Sequence, residues 1–160
     1  LASLVYKNQD KAVDFINELA KVYRGVLENK NTELVTLKEE LDFLAHYIYL
    51  LKIRFEDSIS FSIKTDENTL AIRLPPMCLQ TLIENTMQHN ETSQTKPLEV
   101  LIHTENNHLI VENTLQARSD TTESSHTGLK NMQARYAFFT DEKIGIINDD
   151  KVFKVILPLI

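Results

Sequence analysis

Residues 74–90 read LPPMCLQTLIENTMQHN. The two prolines lack amide donors and fix their own φ. They hold the chain extended before a run whose apolar residues Leu79, Leu82, Ile83 and Met87 step by three, one and four. That spacing is helical, with Pro76 acceptable in the first turn. Asn85 and His89 stand at i and i+4 and share a face, while Leu82 and Ile83 lie near the opposite side. A helix buried on one side and presenting an amide and an imidazole on the other can support a polar ligand. The plainer alternative is a half-exposed helix with an ordinary solvated face.

The sequence on both sides of this helix alternates at period two. Ahead of it, Ile59, Phe61 and Ile63 interleave with Ser60, Ser62 and Lys64, a strand with one wet face, and residues 70–74 predict a second short strand. Behind it, residues 91–97 read as loop, and residues 98–104 and 108–112 form an antiparallel hairpin across Glu105-Asn106-Asn107. Residues 116–127 are polar, rich in Ser and Thr and without periodicity, which predicts a mobile loop. A helix follows over residues 129–139, and residues 143–148 and 152–157 close the chain as a second hairpin. Helices on one face of a mixed, mainly antiparallel sheet make an α+β fold, a two-layer α/β sandwich.

Two helices precede the sheet region. Residues 11–27 place Ala12, Phe15, Ile16, Leu19, Val22, Tyr23, Val26 and Leu27 at helical period, with Asn8 as N-cap. Thr36-Leu37-Lys38-Glu39 is a Ser/Thr-x-x-Glu capping box and starts the second helix. Its seam of Leu37, Leu41, Leu44, Ile48, Leu51 and Phe55 steps by 4, 3, 4, 3, 4 and needs a partner. A second stripe, Phe43, Tyr47 and Leu50, is expected to face either another chain or the domain that follows. The change of period after Phe55 divides the chain into an antiparallel helical hairpin, 1–57, and a sheet domain, 58–160.

The chain has 160 residues, 42% of them apolar, with three Gly and four Pro, the composition of an ordinary soluble domain. Its 17 basic and 23 acidic residues leave a net charge of −6, and thinly spread Lys and Arg argue against nucleic acid as a partner. No stretch approaches the roughly 20 consecutive apolar residues of a membrane span. The opening LASLVYKNQD lacks the shape of a signal peptide, so a cytoplasmic location is expected. The single Cys78 excludes an intrachain disulfide and reads as a core thiol.

The segments FINELAKVYRGVL, TLKEELDFLAHYIYLLKIRFED, LPPMCLQTLIENTMQHN and TGLKNMQARY occur in an order and spacing similar to those of the LytS-like sensor histidine kinases. The most specific is the third, which resembles that family's N box, a Leu-Pro followed by Leu-Gln-Pro-Leu-Val-Glu-Asn-Ala-x-Lys-His. The resemblance implies the Bergerat ATP-binding fold of the gyrase, histidine kinase and MutL type behind a partial dimerisation hairpin. It implies ATP and Mg²⁺ as ligands. Asn85 matches the N-box asparagine that holds Mg²⁺ through its side-chain oxygen, a hard donor suited to that ion. Glu84 and His89 match neighbouring positions, and Gln88 falls where the family has Lys.

Two further motifs are less well kept. On the strand HLIVENT, Asn113 takes the place of the adenine-binding Asp and Leu115 that of a Gly, so an acceptor survives without its charge. His126-Thr127-Gly128-Leu129 stands for Gly-x-Gly-Leu, and Gly128 with the amides from Leu129 onward is placed to cap a phosphate. The family's acceptor His lies in a Pro-His-Phe-Leu-Phe-Asn block expected to precede residue 1, so these residues alone are not expected to autophosphorylate. His46 is expected to pack or face solvent, and His103, His108 and His126 are too scattered to suggest a metal site.

What the resemblance implies is the ATP-binding region of a protein histidine kinase in a two-component system. The full-length protein would be a membrane-attached homodimer with this domain in the cytoplasm, passing the phosphoryl group to a response regulator. The other reading is a degenerate interaction module that keeps the fold and has lost the nucleotide. Gln88, Asn113, Leu115 and His126 support it.

Overall fold

The computed structural model describes residues 2–116, 127–149 and 151–160. A short helix α1 (Ala2–Lys7) leads into α2 (Gln9–Glu28), where the Asn8 side chain accepts from Lys11 N–H at 2.9 Å. Strand β1 (Val35–Thr36) ends on the residue that caps α3 (Leu37–Phe55). There Thr36 Oγ1 accepts from Glu39 N–H at 3.2 Å, and the Glu39 carboxylate accepts from Thr36 N–H at 2.8 Å, so the capping box forms as expected. Next come β2 (Ile59–Lys64), β3 (Arg73–Leu74), α4 (Cys78–His89), β4 (Leu98–Glu105), β5 (His108–Thr114), α5 (Thr127–Tyr136), β6 (Gly145–Asn148) and β7 (Val152–Pro158).

Five strands form one sheet in the order β2-β4-β5-β7-β6. Only β2 and β4 run parallel, joined through α4, and the other pairs are antiparallel. The hairpin of β4 and β5 turns at Asn106 and Asn107, both at positive φ, a conformation Asn tolerates better than most residues. One side of the sheet, carrying Leu98, Val100, Ile102, Leu109, Val111, Val155 and Leu157, shares a core with Leu79, Leu82 and Ile83 of α4 and Met132 and Tyr136 of α5. Burying each such aliphatic side chain contributes about 2 kcal/mol.

Several expectations need correction. The strand over residues 70–74 shrinks to Arg73–Leu74, because residues 67–72 form a 3₁₀ turn and a bend. It leaves the main sheet and pairs with β1, while Arg73 also exchanges backbone bonds with Ile160. Pro76 lies outside α4, which starts two residues later. On β2 only Ile59 is buried and Ile63 is exposed, as suits an edge strand with little above its far end. The last helix begins earlier and ends at Tyr136. The expected mobile loop 116–127 and His126 lie, apart from Gln116 and Thr127, outside the described residues.

The second stripe of α3 does not face open solvent. Phe43 is buried against α2, beside Gly25, and Tyr47 packs on the core and reaches α4. Leu37, Leu44, Ile48 and Leu51 of α3 belong to the same core as the sheet. In the hairpin the exposed apolar residues sit instead on α1, at Val5 and Tyr6, and in a row on α2, at Val13, Ile16, Leu19, Tyr23 and Leu27. Among the described residues no helix is long and apolar enough to cross a membrane.

Candidate functional site at the α4 and α5 junction

Helix α4 has no side-chain cap of its own. Pro75 and Pro76 offer no N–H, and the residue before the helix, Met77, sits in the left-handed region at φ 65°. The cap comes from α3. The two carboxylate oxygens of Glu40 accept from Met77 N–H at 2.8 Å and Leu79 N–H at 2.9 Å. Glu40 is only 2% exposed, and burial pushes its carboxyl above the usual range against the pull of these amides and of Arg135. Arg135 of α5 donates to Pro76 O at 3.1 Å, which adds a compensating cation to the same turn.

Helical rotation then sends consecutive side chains of α4 to different neighbours. Leu79, Leu82, Ile83 and Thr86 are buried toward the sheet. Glu84 turns toward α3, where it accepts from Tyr47 OH at 3.4 Å and from Gln80 Nε2 at 2.8 Å. Burial pushes the Tyr47 hydroxyl up to about 12, with the Glu84 charge adding to the rise. Thr81 and Asn85 face the first turn of α5. A Cβ on Gly128 would lie 3.3 Å from Thr81 Cγ2 and 3.5 Å from Asn85 Oδ1. A side chain at residue 128 would crowd the Thr81 methyl and only touch the Asn85 amide.

Asn113 lies one residue further along, against Thr86. It is 3% exposed, its oxygen sharing the Thr86 hydroxyl proton at 3.1 Å with Leu82 O at 2.9 Å, and its Nδ2 donating to Thr114 O at 2.8 Å. One lone pair of its side-chain oxygen is therefore engaged within the protein. Asn90 fastens the end of α4 to the segment after β5, donating to Thr86 O and accepting from Gln116 N–H at 2.7 Å. Leu115 N–H is taken by Lys151 O at 2.8 Å. His89 is half-buried in the last turn of α4, Gln88 is exposed, and Leu129 packs partly against the core.

The structure therefore brings Asn85 and Gly128 together, sets Asn113 beside the same helix, and aims Glu84 at α3. Cys78 is buried, with its Sγ 2.9 Å from Pro75 O, and burial pushes the thiol up to about 12, which fits a core residue. His46 pairs with Glu18 across the hairpin, and His108 pairs with Glu142. Among the described residues no group of three or more His, Cys, Asp or Glu could hold a metal. Glu40 and Thr86 escaped the reading of the sequence. The signals for Glu40 were a carboxylate on the apolar stripe of α3 and a helix beginning at Cys78 without Ser, Thr, Asp or Asn at its cap.

This sheet with its helices is the fold of histidine kinase catalytic segments. The cytoplasmic segment of histidine kinase QseC superposes with a TM-score of 0.54 at 16% identity, covering 94% of this chain and 93% of that one. The Acinetobacter baumannii histidine kinase AdeS gives 0.51 at 9% identity, covering 90% and 76%. In sequence, the family model described as Histidine kinase matches residues 1–59. Sensor protein LytS of Oceanobacillus iheyensis is 37% identical over 93 residues, 58% of this chain and 16% of its own length. Sensor histidine kinase YesM of Bacillus subtilis is 29% identical over 100 residues, 62% and 17%. Sensor histidine kinase/phosphatase LytS of Staphylococcus aureus is 27% identical over 94 residues, 59% and 16%. The chain is similar in sequence to LytS-like sensor histidine kinases over these stretches, and in fold to histidine kinases. Each alignment spans about one sixth of the relative's length.

Proposed function

We propose that this chain is the ATP-binding catalytic region of a two-component sensor histidine kinase, which transfers the γ-phosphoryl group of ATP to a histidine imidazole. The observation that carries the reading is the closeness of the Asn85 amide to Gly128 at the first turn of α5, where a Cβ would lie 3.5 Å from Asn85 Oδ1. An amide oxygen beside a helix N-terminus, with no cluster of carboxylates, is a donor set that fits a Mg²⁺ taking most of its ligands from phosphate and water. Bound there through Asn85, the ion would neutralise phosphate charge. Gly128 and the amides from Leu129 onward orient the phosphates, His89 flanks them, and Asn113 offers its remaining lone pair to the base, while Glu84, turned to Tyr47 of α3, takes no part. In the transfer, the bond from γ-phosphorus to the leaving oxygen breaks as one forms to the ring nitrogen, and positioning supplies most of the catalysis.

In the whole protein, residues 1–57 serve the dimerisation hairpin and residues 58–160 the nucleotide unit. The exposed apolar row of α2 supports a homodimer. A response regulator then takes the phosphoryl group, with this region on the cytoplasmic side of a membrane-attached protein.

One observation favours the alternative of a non-catalytic module. The Asn113 oxygen and the Leu115 amide already have partners within the chain, which narrows the room for adenine. Calorimetric titration of the chain with Mg²⁺-ADP, with and without Asn85→Ala, separates the two. The kinase reading expects binding whose Mg²⁺-dependent part disappears in the variant while the fold stays intact. Absence of heat and of competition at millimolar nucleotide would favour the module.

A further inference from the structure

Three helices meet on one turn, residues 76–79. Glu40 of α3 holds two of its amides, Arg135 of α5 holds the Pro76 carbonyl, and the turn itself becomes the start of α4. Within this turn Met77 occupies a left-handed backbone, which strains a residue that carries a side chain. Its N–H is one of the two that Glu40 grips, so the carboxylate keeps Met77 where it would not stay unaided. Further along α4, Thr81 returns its hydroxyl to Met77 O at 2.8 Å, and a Cβ on Gly128 would lie 3.3 Å from the Thr81 methyl. The chain of contacts thus runs from Glu40 through Met77 and Thr81 to the Asn85 and Gly128 pair.

We propose that Glu40 is a positioning residue that ties the start of α4 to the hairpin helix α3, so that the placing of α3 sets the geometry of the Asn85 and Gly128 pair. This rests on the reading of that pair as the nucleotide site for its consequence in binding, while its structural half stands apart. Substituting Gln leaves one acceptor oxygen and turns an N–H donor toward a backbone N–H, inside a buried site where neither finds water. The negative charge facing the start of α4 is lost as well. The turn then loosens at Met77, and the strain there is relieved by moving the first turn of α4.

The test uses the full chain, isotope-labelled, with amide NMR and calorimetric titration of Mg²⁺-ADP. Glu40→Gln should shift the Gly128 backbone amide and the Asn85 side-chain amide, and weaken Mg²⁺-ADP binding on the order of tenfold. Adding Met77→Gly, which adopts the left-handed backbone without penalty, should return both readouts toward the parent. Should Glu40→Gln fail to fold, Arg135→Met, altering an exposed side chain of α5 that holds the Pro76 carbonyl of this turn, should move the Asn85 side-chain amide. If the variants disturb only Met77 and Leu79 and leave Asn85, Gly128 and affinity unchanged, Glu40 is a helix cap and nothing more. If the parent binds no nucleotide, the kinase reading falls, and the Asn85 and Gly128 resonances still decide the coupling.

Discussion

Gly25 of α2 lies against the ring of Phe43 on α3, so closely that a Cβ at residue 25 would fall 2.6 Å from Phe43 Cδ2 and 2.7 Å from Cε2. Glycine inside a helix costs about 1 kcal/mol relative to alanine, and here that cost lets the two helices of the hairpin touch. Gly25→Ala recovers the propensity and forces a buried ring to move, an overpacking that typically costs about 1–3 kcal/mol. The expected result is a net loss of about 1 kcal/mol, read from the urea midpoint. A stabilised variant would show that the hairpin opens at this point without penalty.

Asn113 presents a different balance, because the motif it resembles carries Asp at that place. Asn113→Asp keeps an acceptor for the Thr86 hydroxyl and sets a carboxylate oxygen against Thr114 O, where Nδ2 now donates. Two acceptors facing each other at a site 3% exposed should destabilise the chain by about 1–3 kcal/mol. The same variant should bind adenine nucleotide more tightly if the base approaches this residue. Denaturation and titration on one sample measure both effects, and improved affinity without loss of stability would mean that the Thr114 contact is dispensable.

His108 offers a dependence on pH whose direction follows from geometry. Its Nδ1 faces the Asn106 carbonyl at 2.8 Å and its Nε2 faces Glu142 Oε1 at 2.6 Å. Both partners only accept, so the ring fits best with both nitrogens protonated. The bond to Glu142 first, and that to Asn106 after it, raise the affinity for the proton above the usual 6.5. The folded state therefore binds this proton more tightly than the unfolded state. The contribution is complete below about 6.5 and fades as pH rises through the higher folded value. Glu142 is half exposed, so the effect stays within about 1 kcal/mol. Comparing the parent with His108→Gln, the stability difference should shrink between about pH 6 and pH 8. A difference constant across that range would exclude the charged pair.

Most of the layer order was legible, because period two and period 3.6 mark which side of an element is buried. The capping box fixed the start of α3 through local hydrogen bonds, and two adjacent asparagines fixed the β4 and β5 turn. Periodicity does not say which neighbour covers a face. Phe43 and Tyr47 were visible as an apolar stripe, yet only the close approach that Gly25 allows showed Phe43 lying on α2. Glu84 and Asn85 adjoin in sequence and, being about 100° apart on the helix, serve different neighbours. The Asn85 and Gly128 juxtaposition was anticipated only through resemblance of motifs. For Glu40 the sequence signalled only a carboxylate on an apolar stripe and a helix without its own cap, and it could not join the two, since the partners are backbone amides 37 and 39 residues away.

The relocation of the exposed apolar surface changes where a second copy should bind. Val13, Ile16, Leu19, Tyr23 and Leu27 step by three or four along α2 and remain exposed, a row that a second hairpin would cover in the homodimer proposed above. Tyr47 is half-buried against the core and hydrogen-bonded to Glu84. Tyr23→Glu places a charge on an open surface and should leave the unfolding midpoint close to the parent's, while shifting a concentration-dependent equilibrium toward monomer. Tyr47→Glu places one carboxylate beside another at a packed site and should lower the midpoint. Sedimentation velocity across a range of concentrations, paired with denaturation of the same samples, distinguishes the two residues. If Tyr47→Glu dissociates a dimer at unchanged stability and Tyr23→Glu does nothing, the dimer face belongs to α3 and not to α2.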